Sequence, residues 1–260
     1  MLFDNLSSTA QRAVGTIFLL PVVLGFFYSP LIAEIVLVLL GILMGIELSN
    51  MLGNSQWRQI GFGLCLGFAA APASVFLLVG IPSPLNIIAL IALASAFSLR
   101  LDKPKITLFG GSLALCLVAG SALLDLVDGH KIVLLLAAAI AACDTTAYFV
   151  GRKFGGPKLA PTISPKKTIS GALGGVIGST FVVFMLGPWF DLSIFYSLWG
   201  GLLIAGLAQA GDLFESSVKR SLNVKDSGTV IPGHGGVLDR FDGYILTLPA
   251  AFLFWQFVIG

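Results

Sequence analysis

Residues 132–150 read IVLLLAAAIAACDTTAYFV, an apolar run interrupted by a single charged side chain, Asp144. An α-helix needs about 20 such residues to cross a hydrocarbon layer about 30 Å thick. A membrane β-strand would instead alternate apolar with polar residues over a shorter segment, and this run does not. Comparable stretches, rich in Leu, Ala, Gly and Phe, recur near 13–28, 31–49, 60–80, 84–99, 107–127, 171–190, 193–211 and 243–260. The pattern predicts an all-α polytopic membrane protein of about nine transmembrane helices. It is expected to form a single integral membrane domain over residues 1–260, with N-terminal spans in 1–130 and a second half, 131–260, that carries the long loops.

Composition agrees with that reading. The 260 residues are 57% hydrophobic and 11% charged, against roughly 25% charged in a soluble domain, so most of the chain faces something other than water. A net charge of +2 is too small to suggest nucleic acid as a partner. Cys65, Cys116 and Cys143 lie inside apolar segments without the paired spacing of a disulfide framework or zinc site, and read as packing residues. Arg12 before the run 13–28 resembles the start of a signal peptide, but no small-residue cleavage site follows, which predicts a retained first span.

Short cytoplasmic loops retain an excess of Lys and Arg. Arg12, Arg58, Arg100, Lys103, Lys105, Arg152, Lys153, Lys158, Lys166, Lys167, Lys219, Arg220, Lys225 and Arg240 all fall at segment ends on one side, and the other side carries only Lys131. This asymmetry predicts a cytoplasmic N-terminus and an external C-terminus. Two loops on the basic side, Gly151–Ser170 and Asp212–Asp242, are much longer than the rest, and long loops in a compact chain are usually functional.

The second loop, from Gly211 to Gly243, reads GDLFESSVKRSLNVKDSGTVIPGHGGVLDRFDG. Asp212, Glu215, Asp226, Asp239 and Asp242 offer hard oxygen ligands of the kind that bind Mg²⁺ together with substrate phosphates. Lys219, Arg220, Lys225 and Arg240 offer countercharge. The run Pro232-Gly233-His234-Gly235-Gly236 permits close backbone approach and an anion-binding nest. A helix starting near Gly236 would put Asp239 and Asp242, three residues apart, on one face. A generic charge run is a solvated loop. Here charge of both signs alternates with glycine and proline, which predicts metal and phosphate chemistry instead. Asp144 and Asp212 interrupt or adjoin apolar helices, where a charge costs roughly 2.5–3.5 kcal/mol at the centre of the bilayer, so a cation is expected beside them. Glu34 and Glu47, near the ends of the second segment, read as side chains that snorkel to the interface.

Ser217-x-x-Arg220, Lys225-Asp226 and Pro232-Gly233-His234-Gly235-Gly236-x-x-Asp239-Arg240-x-Asp242 together resemble the signature of the phosphatidate cytidylyltransferase family. So do Asp144-x-x-Ala147-Tyr148-x-x-Gly151-Arg152 and Ser164-Pro165-Lys166-Lys167-Thr168. The likeness covers the C-terminal half, while the N-terminal half matches in hydropathy. Family members usually carry a glutamate where this chain has Ser170 before Gly171, so Ser170 is not counted as a site residue.

The resemblance implies transfer of CMP from CTP to phosphatidic acid, giving CDP-diacylglycerol and pyrophosphate, in the inner membrane of a bacterial cell with the site on the cytoplasmic side. It implies Asp212, Asp239 and Asp242 as Mg²⁺ ligands, in an expected two-metal site whose second ion the sequence does not identify. Lys219, Arg220 and His234 would be catalytic, with Ser217, Lys225, Asp226, Gly235, Gly236, Arg240, Lys166, Lys167 and Asp144 binding substrate. His234 is expected to touch phosphate and not to act as a base, because a phosphate monoester with a second pKa of about 6 is already largely dianionic at neutral pH. The partners expected are CTP, phosphatidic acid and the lipid bilayer, with room for a homodimer. A CTP-dependent lipid or polyprenol kinase is the nearest alternative and an ion-coupled transporter a more distant one. The Asp-Gly-x-x-Ala-Arg run expected of a CDP-alcohol phosphotransferase is absent.

Overall fold

A computed structural model describes residues 30–69, 104–124, 126, 129–231 and 235–258. The described elements are α1 (Pro30–Met51), α2 (Gln56–Ala69), α3 (Pro104–Leu124), α4 (Gly129–Phe154), β1 (Lys158–Ala160), β2 (Ser164–Thr168), α5 (Ile169–Leu186), a 3₁₀ turn (Gly187–Phe190), α6 (Ile194–Ser221), α7 (Leu238–Phe241) and α8 (Tyr244–Val258). Among the described residues, five stretches are long and apolar enough to cross a membrane: Leu31–Met51, Pro104–Leu124, Gly129–Phe154, Ile169–Phe190 and Ile194–Ser221. Tyr244–Gln256 is shorter. The expected spans 13–28 and 84–99 lie outside the described residues, and the one expected at 60–80 is described only as far as Ala69.

The side chains are sorted as a membrane requires. On α5, Leu173, Ile177, Phe181 and Met185 recur every four residues and are exposed, Ile177 by 71%, whereas Gly171, Gly174, Gly175, Gly178 and Ser179 are buried. In water such an outward apolar stripe would be a liability. Against lipid tails it costs nothing, and the small residues let helix backbones approach closely.

The chain divides into two compact units, residues 1–131 with 218–241 and residues 132–217 with 242–260. In the first, α1 and α2 meet at glycines: a Cβ on Gly45 would lie 2.7 Å from Gly63 Cα, and one on Gly41 3.2 Å from Gly67 Cα. In the second, α4 and α5 meet in the same way, a Cβ on Gly171 falling 2.7 Å from the Ala147 carbonyl oxygen and one on Gly174 2.6 Å from Val150 Cβ. From α6, Gln209 Nε2 donates to the Ala172 carbonyl at 3.2 Å and approaches Cys143 Sγ at 3.6 Å, tying the three helices together. Cys116 and Cys143 are buried and form no disulfide among the described residues, as packing residues should be.

Three expectations are corrected. The segment Gly151–Ser170 is not a plain loop: α4 continues to Phe154, and β1 and β2 then pair antiparallel, with Lys158 opposite Thr168 and Ala160 opposite Ser164. A two-stranded sheet thus joins an otherwise helical fold. Nor does the second loop begin at Asp212, since α6 runs on to Ser221. Its cationic last turn, Lys219 and Arg220, suits the partial negative charge of a helix C-terminus. The helix ends in a Schellman turn: Asn223 takes a left-handed φ of 58°, Val224 N donates to Lys219 O at 3.0 Å and Asn223 N to Arg220 O at 3.1 Å. The single helix expected from Gly236 is also broken. Leu238–Phe241 is one turn, the chain bends at Asp242 and Gly243, and α8 starts at Tyr244.

Candidate active site

The residues singled out by sequence fall in both units. In the first, the loop after α6 is organised by two carboxylates. Asp239 Oδ1 accepts from Lys219 Nζ at 2.5 Å, while Oδ2 accepts from Ser227 N at 2.9 Å and Gly236 N at 2.8 Å. Burial alone would raise this carboxyl's pKa. The hydrogen bond and charge of Lys219, with the two backbone N–H groups, outweigh that and hold it below the ordinary aspartate value.

The second carboxylate is Glu47, from α1. It is 4% exposed and accepts from Val237 N at 2.8 Å, Leu238 N at 2.9 Å and Ser227 Oγ at 3.0 Å. Glu47 therefore does not snorkel. It is turned inward because N–H and O–H groups of a distant segment replace the water it would otherwise need.

These contacts explain the glycines. A Cβ on Gly236 would lie 2.1 Å from Ser227 Oγ and 2.5 Å from Glu47 Oε2, and one on Gly228 2.9 Å from Glu47 Oε1. Gly235 has a φ of +84°, and a Cβ there would fall 2.6 Å from Asp239 Oδ2. Much of the close approach that the sequence suggests for a ligand is thus taken up by the chain's own carboxylates. Ile231 N donates to Gly235 O at 2.9 Å and closes the loop. His234, with Pro232 and Gly233, lies outside the described residues. Arg220 donates to the Val224 carbonyl at 2.8 Å, and Lys225, Asp226 and Arg240 are exposed.

In the second unit, Asp212 on α6 pairs with Lys167 on β2 and accepts from Ser216 Oγ at 3.3 Å. Ser217, on the same helix, is half-buried. Thr168 sets the position of Lys167: its side chain accepts from Gly171 N at 3.1 Å and caps α5, and Ile169 N donates to Pro157 O at 3.0 Å across the strand pair. Ser170 Oγ donates to the Gly155 carbonyl, bracing the same turn. Lys166, Lys167, Lys158, Arg152, Asp144 and Gln209 line a cleft of about 550 Å³, within the size range of about 300–1,000 Å³ usual for small-molecule sites. Asp144, Lys166 and Lys167, which the sequence analysis grouped as substrate contacts, do share one cavity.

Asp242 occupies the turn between α7 and α8 and caps it, Gly243 N donating to Oδ1 at 2.7 Å. Gly211 makes room for this turn against α6, since a Cβ there would fall 2.5 Å from the Asp242 carbonyl oxygen. Burial first, then the negative charges of Asp212, Glu215 and Asp144, push the Asp242 carboxyl well above the ordinary aspartate range. Among the described residues, no three His, Cys, Asp or Glu side chains converge tightly enough to hold a metal by themselves. Mg²⁺ does not require that, because it is usually held by one or two carboxylates with substrate phosphates and water completing its shell. The mutual repulsion at Asp242 is what a divalent cation would relieve, so the donor chemistry fits.

A family model described as the cytidylyltransferase family matches residues 8–258. The chain belongs to the cytidylyltransferase family. Among curated proteins, this cytidylyltransferase-family chain is similar to "Phosphatidate cytidylyltransferase" of Staphylococcus haemolyticus (strain JCSC1435), with 44% identity over 124 residues, 47% of this chain and 48% of that protein. Proteins of the same name match from Brucella abortus (strain 2308), at 44% over 134 residues (48% and 47%), and from Bacillus subtilis (strain 168), at 44% over 108 residues (41% and 40%). The chain spans about half the length of the curated relatives it matches.

Sequence reasoning did not single out Glu47 for this site, because nothing local marks one glutamate at the end of an apolar helix as the acceptor for a loop 190 residues away. Lys158 was read only for topology, and Arg152 for topology and as the end of the motif that starts at Asp144, not as a site residue. The sequence did carry a signal for Arg152, since it lies eight positions after Asp144, roughly two helical turns, on the same side of α4.

Proposed function

We propose that this chain catalyses transfer of CMP from CTP to phosphatidic acid, forming CDP-diacylglycerol and pyrophosphate. The observation that carries the reading is the Lys167–Asp212 pair: a cleft lined by cationic side chains adjoins a group of carboxylates within one unit. That is what a reaction between two phosphate-bearing anions demands. Family membership and the names of the similar proteins support the choice of CTP and phosphatidate.

The chemical obstacle is charge repulsion. An oxygen of the phosphatidate monoester forms a bond to the α-phosphorus of CTP while the bond from that phosphorus to the β-phosphate oxygen breaks, and pyrophosphate leaves. No base is needed to activate a nucleophile that is already dianionic. Positioning and neutralisation supply the rate. Lys166, Lys167, Arg152 and Lys158 bind phosphate oxygens in the cleft, Arg152 as a planar fork and the lysines as point charges. Asp212 and Asp242 are the carboxylates we assign to Mg²⁺, which when bound offsets negative charge on the phosphates. The resemblance adds Asp239 to them; in this structure its oxygens face Lys219, Ser227 and Gly236. Lys219 and Arg220 on the last turn of α6, Lys225 in the loop after it and Arg240 on α7 supply countercharge.

The basic segment ends support a site at the cytoplasmic face of a bacterial inner membrane, where CTP would arrive from solution and phosphatidic acid would keep its acyl chains in the bilayer. Purified protein in detergent with phosphatidic acid, labelled CTP and Mg²⁺ tests the reading. CMP recovered in the lipid with release of pyrophosphate is expected. Release of CDP with phosphorylated lipid would instead identify a CTP-dependent lipid kinase, and metal-dependent flux across vesicles without CTP turnover a transporter.

A further inference from the structure

We propose that Glu47 is a positioning residue for the 227–238 loop. From a helix long enough to cross a membrane, it holds the backbone that carries Gly235, Gly236 and Asp239 in the arrangement the reaction uses. The inference rests on the CMP-transfer reading for what that loop does, but the contacts stand independently of it.

Glu47 is the fifth residue from the end of a mostly apolar stretch, LIAEIVLVLLGILMGIELSNM, in which Glu34 is the other acid. A carboxylate is costly to remove from water unless donors replace it. Three do, and all come from one segment: Ser227 at its start, Val237 and Leu238 at its end. Because Oε2 accepts from both Ser227 Oγ and Leu238 N, one side chain draws the two ends of the loop together. Asp239 draws in the same two ends from another direction, through Ser227 N and Gly236 N. The loop is therefore clamped between two carboxylates, and Asp239 takes its place from backbone that Glu47 holds. The glycines are matched to the clamp, since side chains at 228 or 236 would run into Glu47. Ser227, Val237 and Leu238 are all buried, so water cannot stand in for the lost acceptor.

A tie that merely stabilises the fold and one that sets catalytic geometry predict different results. Glu47→Gln keeps the reach and one acceptor oxygen; Glu47→Met removes both, and if it fails to fold the Gln variant carries the test. In detergent-purified protein, amide hydrogen exchange across 227–238 is expected to quicken in Glu47→Gln while other helices exchange as before. CMP transfer should fall about 10- to 100-fold, the loss expected of a small displacement of positioned groups, and should fall on kcat more than on KM for CTP. Unchanged exchange in the loop overturns the proposal. So does quickened exchange with wild-type kcat and KM, which would leave Glu47 a structural tie only. If the wild-type protein makes no CDP-lipid while loop exchange still responds to Glu47→Gln, the reaction assignment fails and the clamp stands.

Discussion

Lys219 Nζ lies 2.5 Å from Asp239 Oδ1, and both side chains are less than a tenth exposed. At that depth the pair behaves as one unit. The two residues are 20 positions apart, on the last turn of α6 and on the one-turn helix α7, so the contact pins the loop between them.

Removing one partner of a buried pair leaves the other charge without compensation, at a cost of about 3–5 kcal/mol. Lys219→Ala is therefore expected to lower thermal stability in detergent by more than the double change Lys219→Met with Asp239→Asn, which removes both charges. Lys219→Ala should also weaken use of CTP or phosphatidate, and Asp239→Asn should abolish CMP transfer while still inserting into membranes. Melting of Lys219→Ala at the wild-type temperature would show that the pair contributes nothing to stability.

Stability should depend on pH in opposite senses at two aspartates. The Asp242 carboxyl has a raised pKa, so the folded state holds its proton more tightly than the unfolded state does. Its contribution is present below the ordinary value of 3.8 and is lost as pH rises through the raised value. Asp239 is lowered, so its contribution is present above 3.8 and is lost as pH falls through the lower value. Melting temperatures measured with EDTA should decline on the upper limb, Asp242→Asn should remove that decline, and Mg²⁺ should flatten it in the wild type by favouring the ionised carboxylate. An upper limb identical in Asp242→Asn and wild type would assign the slope to another group.

Two glycines on α6 should respond with opposite signs. Gly206 has open space where a Cβ would sit, so Gly206→Ala is expected to stabilise by roughly 0.5–1 kcal/mol through helix propensity. At Gly211 the Cβ would meet the Asp242 carbonyl oxygen at 2.5 Å, a backbone atom that cannot rotate away. Gly211→Ala should destabilise by about 1–3 kcal/mol and reduce CMP transfer by displacing the Asp242 turn. Equal stability of the two variants would contradict this geometry.

Thr168 caps α5 and adjoins Lys167 in the strand pair. Thr168→Ala is expected to cost about 1 kcal/mol and to raise KM for CTP, while Thr168→Ser, which keeps the hydroxyl, should restore both. Denaturation midpoints and initial rates on the same preparations decide whether the cap serves Lys167 or only the helix.

The legible parts of the molecule share a physical character. The spans at 31–49, 107–127, 132–150, 171–190 and 193–211 were readable because hydropathy is a local sum over about 20 residues. The strand pair at 158–168 was not, since SPKKT has neither the alternation nor the β-branched content of a strand and is held by pairing with Lys158–Ala160. The extension of α6 to Ser221 was obscured because its last turns are charged and resemble solvated loop. Asn223 after Lys219 and Arg220 was the available stop signal.

By itself the sequence determined that this chain is helical, that several helices can span a bilayer, and that acids, bases and glycines concentrate in two stretches of its second half. These are consequences of composition along the chain. Which acid meets which partner was decided only by tertiary structure: Lys167 turned to Asp212, Lys219 to Asp239, and Glu47 to the backbone of residues 237 and 238. A buried carboxylate is satisfied by whatever donor the packed helices bring within about 3 Å, and that distance is a property of the fold, with no counterpart in the order of the residues.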